Sequence, residues 1–301
     1  MVEPALALPT QKVVLAHTFE TQSEFQKVIR QLQRSRAAMV GGIVLVLIVL
    51  TAFFAPMIAP EDPIQQNYTH VLLAPSSAHI FGTDQFGRDV LSRVVIGSRQ
   101  SLAVAAIAIA IAASFGTILG LLSGFFGGWV DTIIQRLIDV QLAFPGILFA
   151  MAVVAVLGPG LRNAMIAVGI SLIPNYARMV RGSVLSQKEH VFVEAARACG
   201  AGNARIVFRH ILPNIFGPIM VLSTISIAWA ILIGSSLSFL GLGAQLPNPE
   251  WGLDLAMARD YLREAWWMST FPGIAIMATV VSVNLIGEGL RDALDPRTRH
   301  R

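Results

Sequence analysis

Few side chains in this sequence could do chemistry, and their placement limits what that chemistry is. The densest run of acids and glycines is Phe81-Gly82-Thr83-Asp84-Gln85-Phe86-Gly87-Arg88-Asp89. Carboxylates among glycines invite a metal or a phosphate, but the ligand spacing fits no usual metal site. Thr83 or Asp84 reads better as the cap of a short helix over 85–98. A phosphate-binding loop needs Gly-x-x-x-x-Gly-Lys-Ser/Thr, and none of the three lysines, Lys12, Lys27 and Lys188, follows a glycine. No His-Glu-x-x-His run occurs, and the histidines at 17, 70, 79, 190, 210 and 300 avoid the depths of the apolar stretches. Gly234-Ser235-Ser236 offers hydroxyls without the buried base that a serine nucleophile requires. Polar residues inside the apolar stretches, such as Asn284, Ser235, Ser236 and Ser238, are neutral, whereas ion-coupled pumps use buried carboxylates or histidines as relays. The chain is therefore expected to hydrolyse no ATP and to be no enzyme. If it moves a solute uphill, a partner supplies the energy.

One polar internal stretch, residues 178–213, is placed to receive such a partner. Ser186 and Glu189 form a capping-box pattern, Val191, Ala195 and Ala198 follow on one helix face, and Gly200 and Gly202 end that helix. Asn203 can cap a second helix that runs through Arg209 and stops before Pro213. The pattern predicts a helix–turn–helix whose arginines and small residues suit docking to another protein.

The elements that position these residues follow from composition. Of 301 residues, 54% are apolar and 13% charged, with a mean hydropathy of +0.65, whereas a soluble domain carries about 25% charged residues. This excludes a cytosolic enzyme, a nucleic-acid-binding domain and a disordered chain, and leaves an all-α polytopic membrane protein. A spanning helix needs about 20 apolar residues. Gaps between charges predict six spans, near 38–59, 100–124, 137–157, 160–180, 214–240 and 268–287. The 40 uncharged residues between Arg209 and Glu250 are read as one span plus a loop, because Gly241, Gly243, Pro247 and Pro249 follow it. With the N-terminus inside, the inner segments 1–37, 125–136, 178–213 and 288–301 hold 16 of the 22 Lys and Arg residues. That bias obeys the positive-inside rule and places both termini in the cytoplasm. The first 20 residues hold Glu3, Pro4 and Pro9 where a cleavable signal would have a basic stretch and an apolar run. The single Cys199 excludes an internal disulfide.

Three further patterns carry expectations. Phe25, Val28, Ile29 and Leu32 form one face of an amphipathic helix over 21–36, started by Thr21 and Glu24, that would lie on the inner membrane surface. Ala108, Ala112, Gly116, Gly120 and Gly124 form a four-residue stripe that lets a second helix approach closely. Pro145 and Pro174 interrupt the third and fourth spans and are expected to kink them. The chain thus divides into a cytoplasmic segment 1–37, a first span with its external segment 38–99, and a core 100–301 that contains the loop 182–213.

Glu194-Ala195-Ala196, then Gly200, then Leu212-Pro213 resembles the EAA motif of ABC-importer permeases. The spacing matches, and His210 stands where the motif has Ile. The resemblance extends from about residue 30 to the end. Gly82-Thr83-Asp84 with Gly87-Arg88-Asp89, Leu237-Ser238-Phe239-Leu240-Gly241-Leu242-Gly243, Pro249-Glu250-Trp251-Gly252 and Gly289-Leu290-Arg291-Asp292-Ala293-Leu294-Asp295-Pro296 all resemble the dipeptide/oligopeptide (peptide/nickel) branch. The resemblance implies a permease subunit of the bacterial inner membrane with type I importer architecture. It implies a second, related permease, two cytoplasmic ABC ATPases that bind ATP and Mg, and an external substrate-binding protein. This chain itself needs no cofactor and no metal. Glu194, Ala195, Ala196, Arg197, Gly200, Leu212 and Pro213 would form the ATPase-coupling loop, and Asp84, Gly87, Arg88 and Asp89 an external gate or binding-protein docking face. Transport would be by alternating access driven by the ATPases. Dipeptides, longer peptides, glutathione and nickel chelates all remain open as substrates. A stand-alone facilitator, having no need of the cytoplasmic helix–turn–helix, and a membrane enzyme are the competing classes.

Overall fold

The computed structural model describes Leu32 and residues 35–294. The amphipathic helix expected over 21–36 lies almost wholly outside them. Among the described residues the chain is all α-helical, with one isolated antiparallel bridge between Thr83 and Asp89. Nine helices carry the architecture: α1 (Arg36–Phe53), α2 (Val90–Phe126), α3 (Gly128–Leu142), α4 (Gly146–Leu157), α5 (Leu161–Gln187), α6 (Val191–Ala198), α7 (Leu212–Phe239), α8 (Trp251–Ala258) and α9 (Trp267–Leu294).

Four helical runs, α1, α2, Asn203–Phe239 and α9, are long and apolar enough to cross a membrane, and α3 and α4 reach that length and apolarity only when taken together as one bent unit. The sixth expected span is α5. It has 27 residues, about 40 Å at 1.5 Å per residue, but with Arg162, Asn163, Asn175, Arg178 and Arg181 along it it is not apolar enough to count among these runs, so four to five spans stand where six were expected. The 40-residue uncharged gap holds one span, as expected. Its far end turns at Gly241 (φ +78°) and returns as the short helix α8.

Two expectations about helix ends are corrected. The helix expected over 85–98 begins at Val90, with Asp89 as its cap: its carboxylate accepts from Ser92 N at 2.7 Å. That helix does not stop at 98 but runs unbroken to Phe126, so α2 extends well beyond the hydrocarbon layer. The break expected within 137–157 is no kink but a 94° bend between α3 and α4. Pro145 has no N–H to donate, and its ring drives Phe144 out of helical geometry. Pro174, by contrast, sits inside an unbroken α5. The carbonyl its missing N–H leaves free, that of Ile170, accepts from Gln141 Nε2 at 2.7 Å. A side chain from α3 thus replaces the lost backbone bond and pins the bent segment to α5.

The small-residue stripe sits inside the subunit. Ala108, Ala112, Gly116, Gly120 and Gly124 are all buried. A Cβ at Gly120 would lie 2.6 Å from Val180 Cβ, and one at Gly124 2.8 Å from Val184 Cβ. Gly116 meets Tyr176 in the same way, and Gly169 of α5 meets Ile111 of α2. α2 and α5 therefore touch backbone to side chain over several turns. α1 docks on α9 by the same means, Gly41 lying against the Ser282 carbonyl.

Candidate functional site

The EAA-like loop is built at the end of the bundle where α5 closes. Lys188 N donates to Val184 O at 2.9 Å, and His190 becomes the N-cap of α6 without a side-chain hydrogen bond. The expected capping box at Ser186 and Glu189 is not formed, because α5 continues through Ser186. The turn after α6 is a Schellman motif. Gly200 takes φ +79°, Gly200 N donates to Arg197 O at 2.9 Å and Ala201 N to Ala196 O at 3.0 Å. Asn203 follows as the first residue of a helical turn capped by Gly202 rather than as the cap itself.

The expected stop before Pro213 is also absent. The turns over Ile206–Ile211 are π-helical, and Leu212 N donates back to Val207 O. The wider turn accommodates the proline ring and its missing donor, so the helix carries on into α7. Buried Val193, Ile206 and Ile211 anchor the loop to the core. The opposite face is open: Glu194, Ala195, Arg197 and Gly200 are exposed, and Val191 is 78% exposed. Between α6 and the next helix lies a shallow depression of about 510 Å³, lined by Ala195, Ala196 and Cys199 on one side and Arg205, Arg209 and His210 on the other. The alanines leave the space that the depression occupies. Arg197 reaches back to the Phe125 ring at the end of α2, 6.0 Å from its centroid. Glu194 makes no hydrogen bond or ion pair among the described residues.

The second candidate group behaves differently. Asp84, Gly87, Arg88 and Asp89 are all buried, so their side chains offer no surface for direct docking. They build a cluster at the opposite end of the bundle. Asp84 Oδ1 accepts from Phe86 N and Arg88 N, and its Oδ2 pairs with Arg88 Nε at 2.6 Å. Arg93 of α2 pairs with Asp254 of α8 through Nε at 2.9 Å and Nη2 at 2.5 Å, and Arg93 Nη1 donates to Pro63 O at 2.9 Å. Glu250 caps α8 and accepts from Ser101 Oγ at 2.9 Å. Trp267 Nε1 closes the group on Thr83 O at 3.0 Å. Burial pushes the Asp254 carboxyl up to about 6, against the pull of Arg93, and its buried Oδ2 has no partner. Burial also lowers the Arg88 guanidinium from its ordinary value, with Arg93 adding to the effect.

A third feature was not found in the sequence. Where α3 breaks away from α4, a concavity of about 580 Å³ opens between the bend, α5 and α7, with Gln141, Phe144, Ser171, Asn175, Trp229 and Ser236 on its wall. The sequence signal was the Pro174-Asn175 pair, a proline followed by an amide in the middle of a span. Of the three serines named from sequence, only Ser236 lines this space. Ser235 and Ser238 are buried, and Ser238 Oγ accepts from Ala244 N to hold the turn after α7.

Comparison with known proteins assigns the chain. Residues 116–300 match the family model described as the binding-protein-dependent transport system inner membrane component. The chain belongs to this family of transport permeases. Residues 23–75 match the N-terminal transmembrane domain of oligopeptide transport permease C. A dipeptide transport system permease, DppC, of Alkalihalophilus pseudofirmus is 46% identical, over 92% of this chain and 91% of that protein. A di/tripeptide transport permease, DppC, of Pseudomonas aeruginosa is 43% identical over 88% and 90%. A glutathione transport permease, GsiD, of Escherichia coli O6:K15:H31 is 46% identical over 90% and 89%. Among solved structures, a chain of the inward-facing MetNI methionine ABC transporter superposes with a TM-score of 0.55 at 18% identity, covering 67% of this permease and 97% of that chain. The fold is therefore that of an ABC-importer permease, and the protein is a multi-pass membrane permease subunit.

Proposed function

We propose that this permease carries short peptides inward across the bacterial inner membrane, as one of two related permeases driven by two cytoplasmic ABC ATPases and fed by an external binding protein. The observation that carries the reading is similarity over about nine-tenths of the chain to permeases named for dipeptide, di/tripeptide and glutathione transport. The loop geometry supports it. α6 presents Glu194 and the Ala195-Ala196 depression outward on a turn that Gly200 closes, which is the shape a helix needs to seat in a groove of an ATPase. In this reading Ala195 and Ala196 admit the groove's edge, Arg197 ties the loop to α2, and Leu212-Pro213 joins it to α7. Movement of the ATPases on binding ATP is then transmitted to α5 and α7, the two helices that flank the concavity. ATP and Mg are held by those ATPases. Both termini and the loop lie in the cytoplasm, and the Arg93–Asp254 end lies outside.

The glutathione-named relatives are as similar as the dipeptide-named ones, and glutathione is itself a tripeptide. A single experiment addresses both. The tagged chain is isolated from its native membrane in mild detergent, its companions are identified by mass spectrometry, and the complex is reconstituted with its binding protein. Uptake of labelled dipeptide, competed by unlabelled dipeptide but not by glutathione, supports the proposal. Competition by glutathione alone shifts the substrate, and recovery of this chain without ATPases returns the facilitator reading.

A further inference from the structure

Asn175 stands near the middle of α5, 14 residues from Leu161 and 12 from Gln187, so about 20 Å of helix separates it from either end. It is exposed and lines the concavity at the α3–α4 bend. The amide of Gln141 and the hydroxyls of Ser171 and Ser236 on this wall already donate to backbone carbonyls, and only the Trp229 indole N–H shares the free state of Asn175 among the described residues. Gln141 Nε2 donates to Ile170 O at 2.7 Å, Ser171 Oγ to Val168 O at 2.8 Å, and Ser236 Oγ to Leu232 O at 2.7 Å. The Asn175 carboxamide makes no hydrogen bond among the described residues, leaving two donors and an acceptor oxygen free. An amide at this depth cannot face hydrocarbon without a large cost. It faces water or something that crosses with water.

The rest of the wall says what that is. Its lining holds no charged residue, and Phe144, Phe149 and Trp229 supply broad apolar surface. About 580 Å³ falls within the range of small-ligand pockets. A wall without charge does not hold the amino or carboxylate ends of a zwitterion. A side-chain amide does match a peptide bond, donor to carbonyl and acceptor to N–H. We propose that this concavity is the permease's contribution to the passage, and that Asn175 hydrogen-bonds the backbone amide of a peptide in transit. The aromatic residues accept side chains without discriminating among them, so the permease reads the peptide bond and leaves sequence selection to another component. The inference rests on the peptide reading above.

The test uses the complete transporter in membrane vesicles. Asn175→Cys is made in a Cys199→Ser background and exposed to a negatively charged, membrane-impermeant thiosulfonate. Val46→Cys, on the 56% exposed apolar face of α1, is the comparison. The expected result is fast modification at 175, none at 46, and several-fold slowing at 175 by excess dipeptide. Resistance at 175 equal to that at 46 would mean that lipid or the second permease covers the site, and overturns the proposal. Modification that no peptide slows overturns the peptide contact. If the parent complex carries no peptide at all while 175 still reacts, the reading under Proposed function fails and the passage assignment stands alone. Independently, Asn175→Leu should lower peptide uptake about tenfold, the scale of one hydrogen bond lost from an otherwise unpaired amide. Asn175→Gln should recover part of it, and equal uptake by both variants would argue against the contact.

Discussion

At the residue scale, conformation and electrostatics give separate predictions. Gly200 has φ +79° and open space where a Cβ would stand. Any defect from substitution there must come from the backbone. Gly200→Val, β-branched and intolerant of left-handed geometry, should leave the chain in the membrane but weaken ATPase recovery in pull-downs. Gly200→Asn, which tolerates that geometry, should keep most of it. Equal behaviour of the two would detach the Schellman turn from docking. Asp254 gives a pH prediction. Its unfolded carboxyl ionises near 3.8 and its folded one near about 6, so between these values the folded chain binds the proton more tightly. Stability linked to this group is full below the unfolded value and is lost as pH rises through about 6. Asp254→Asn, fixed neutral, should flatten the thermal-stability profile of the purified complex across that window. Identical slopes would mean that Asp254 is ionised throughout. The burial behind this shift could not be read from the sequence. Asp84, Arg88, Asp89 and Arg93 resemble a surface cluster until α8 folds over them with Asp254, and the Arg93–Asp254 pair joins residues 161 positions apart.

At the element scale, the small-residue stripe was the most legible feature, because four-residue spacing needs only one helix to make sense. Its partner was not legible, since nothing in α2 names Tyr176, Val180 and Val184. A pair of substitutions tests that packing. Gly120→Ala places a Cβ 2.6 Å from Val180 Cβ, whereas Gly42→Ala in α1 meets nothing within 4 Å. The first should destabilise by ~1–3 kcal/mol, the usual range for overpacking, read as a lower thermal midpoint. The second should be neutral or slightly stabilising. If both are silent, α2 and α5 are not in tight contact. The prolines show the limit of local reasoning. Pro145 and Pro174 look alike in sequence, yet one ends a helix and the other does not. The difference is Gln141, which supplies the Ile170 carbonyl with its missing donor across 29 positions. Likewise Pro213, read as a stop, is absorbed by π-helical turns that bury Ile206 and Ile211 in the core.

At the scale of the whole molecule, the fold gathers at one end the segments in which the sequence is richest in Lys and Arg, which supports the proposed orientation. The arginine-rich loop after α5 and the carboxyl-terminal end of α9 share one end of the bundle, where the sequence count places most of the Lys and Arg. The turn after α7, α8 and the buried Arg93–Asp254 pair share the other. Two cysteine positions test the orientation, since Cys199 is exposed in the loop and His70 is exposed at the opposite end. In intact cells, an impermeant maleimide should spare the native Cys199 and label His70→Cys in a Cys199→Ser background. In inverted vesicles washed free of peripheral proteins the pattern should reverse. Adding back the ATPases should then slow labelling of Cys199, because Cys199 lines the depression between Ala195 and Arg205 that the docking reading fills. Labelling of Cys199 from outside intact cells would invert the assignment. It would also place the loop on the side without ATP, and the coupling role of Glu194 and Gly200 would fall with it.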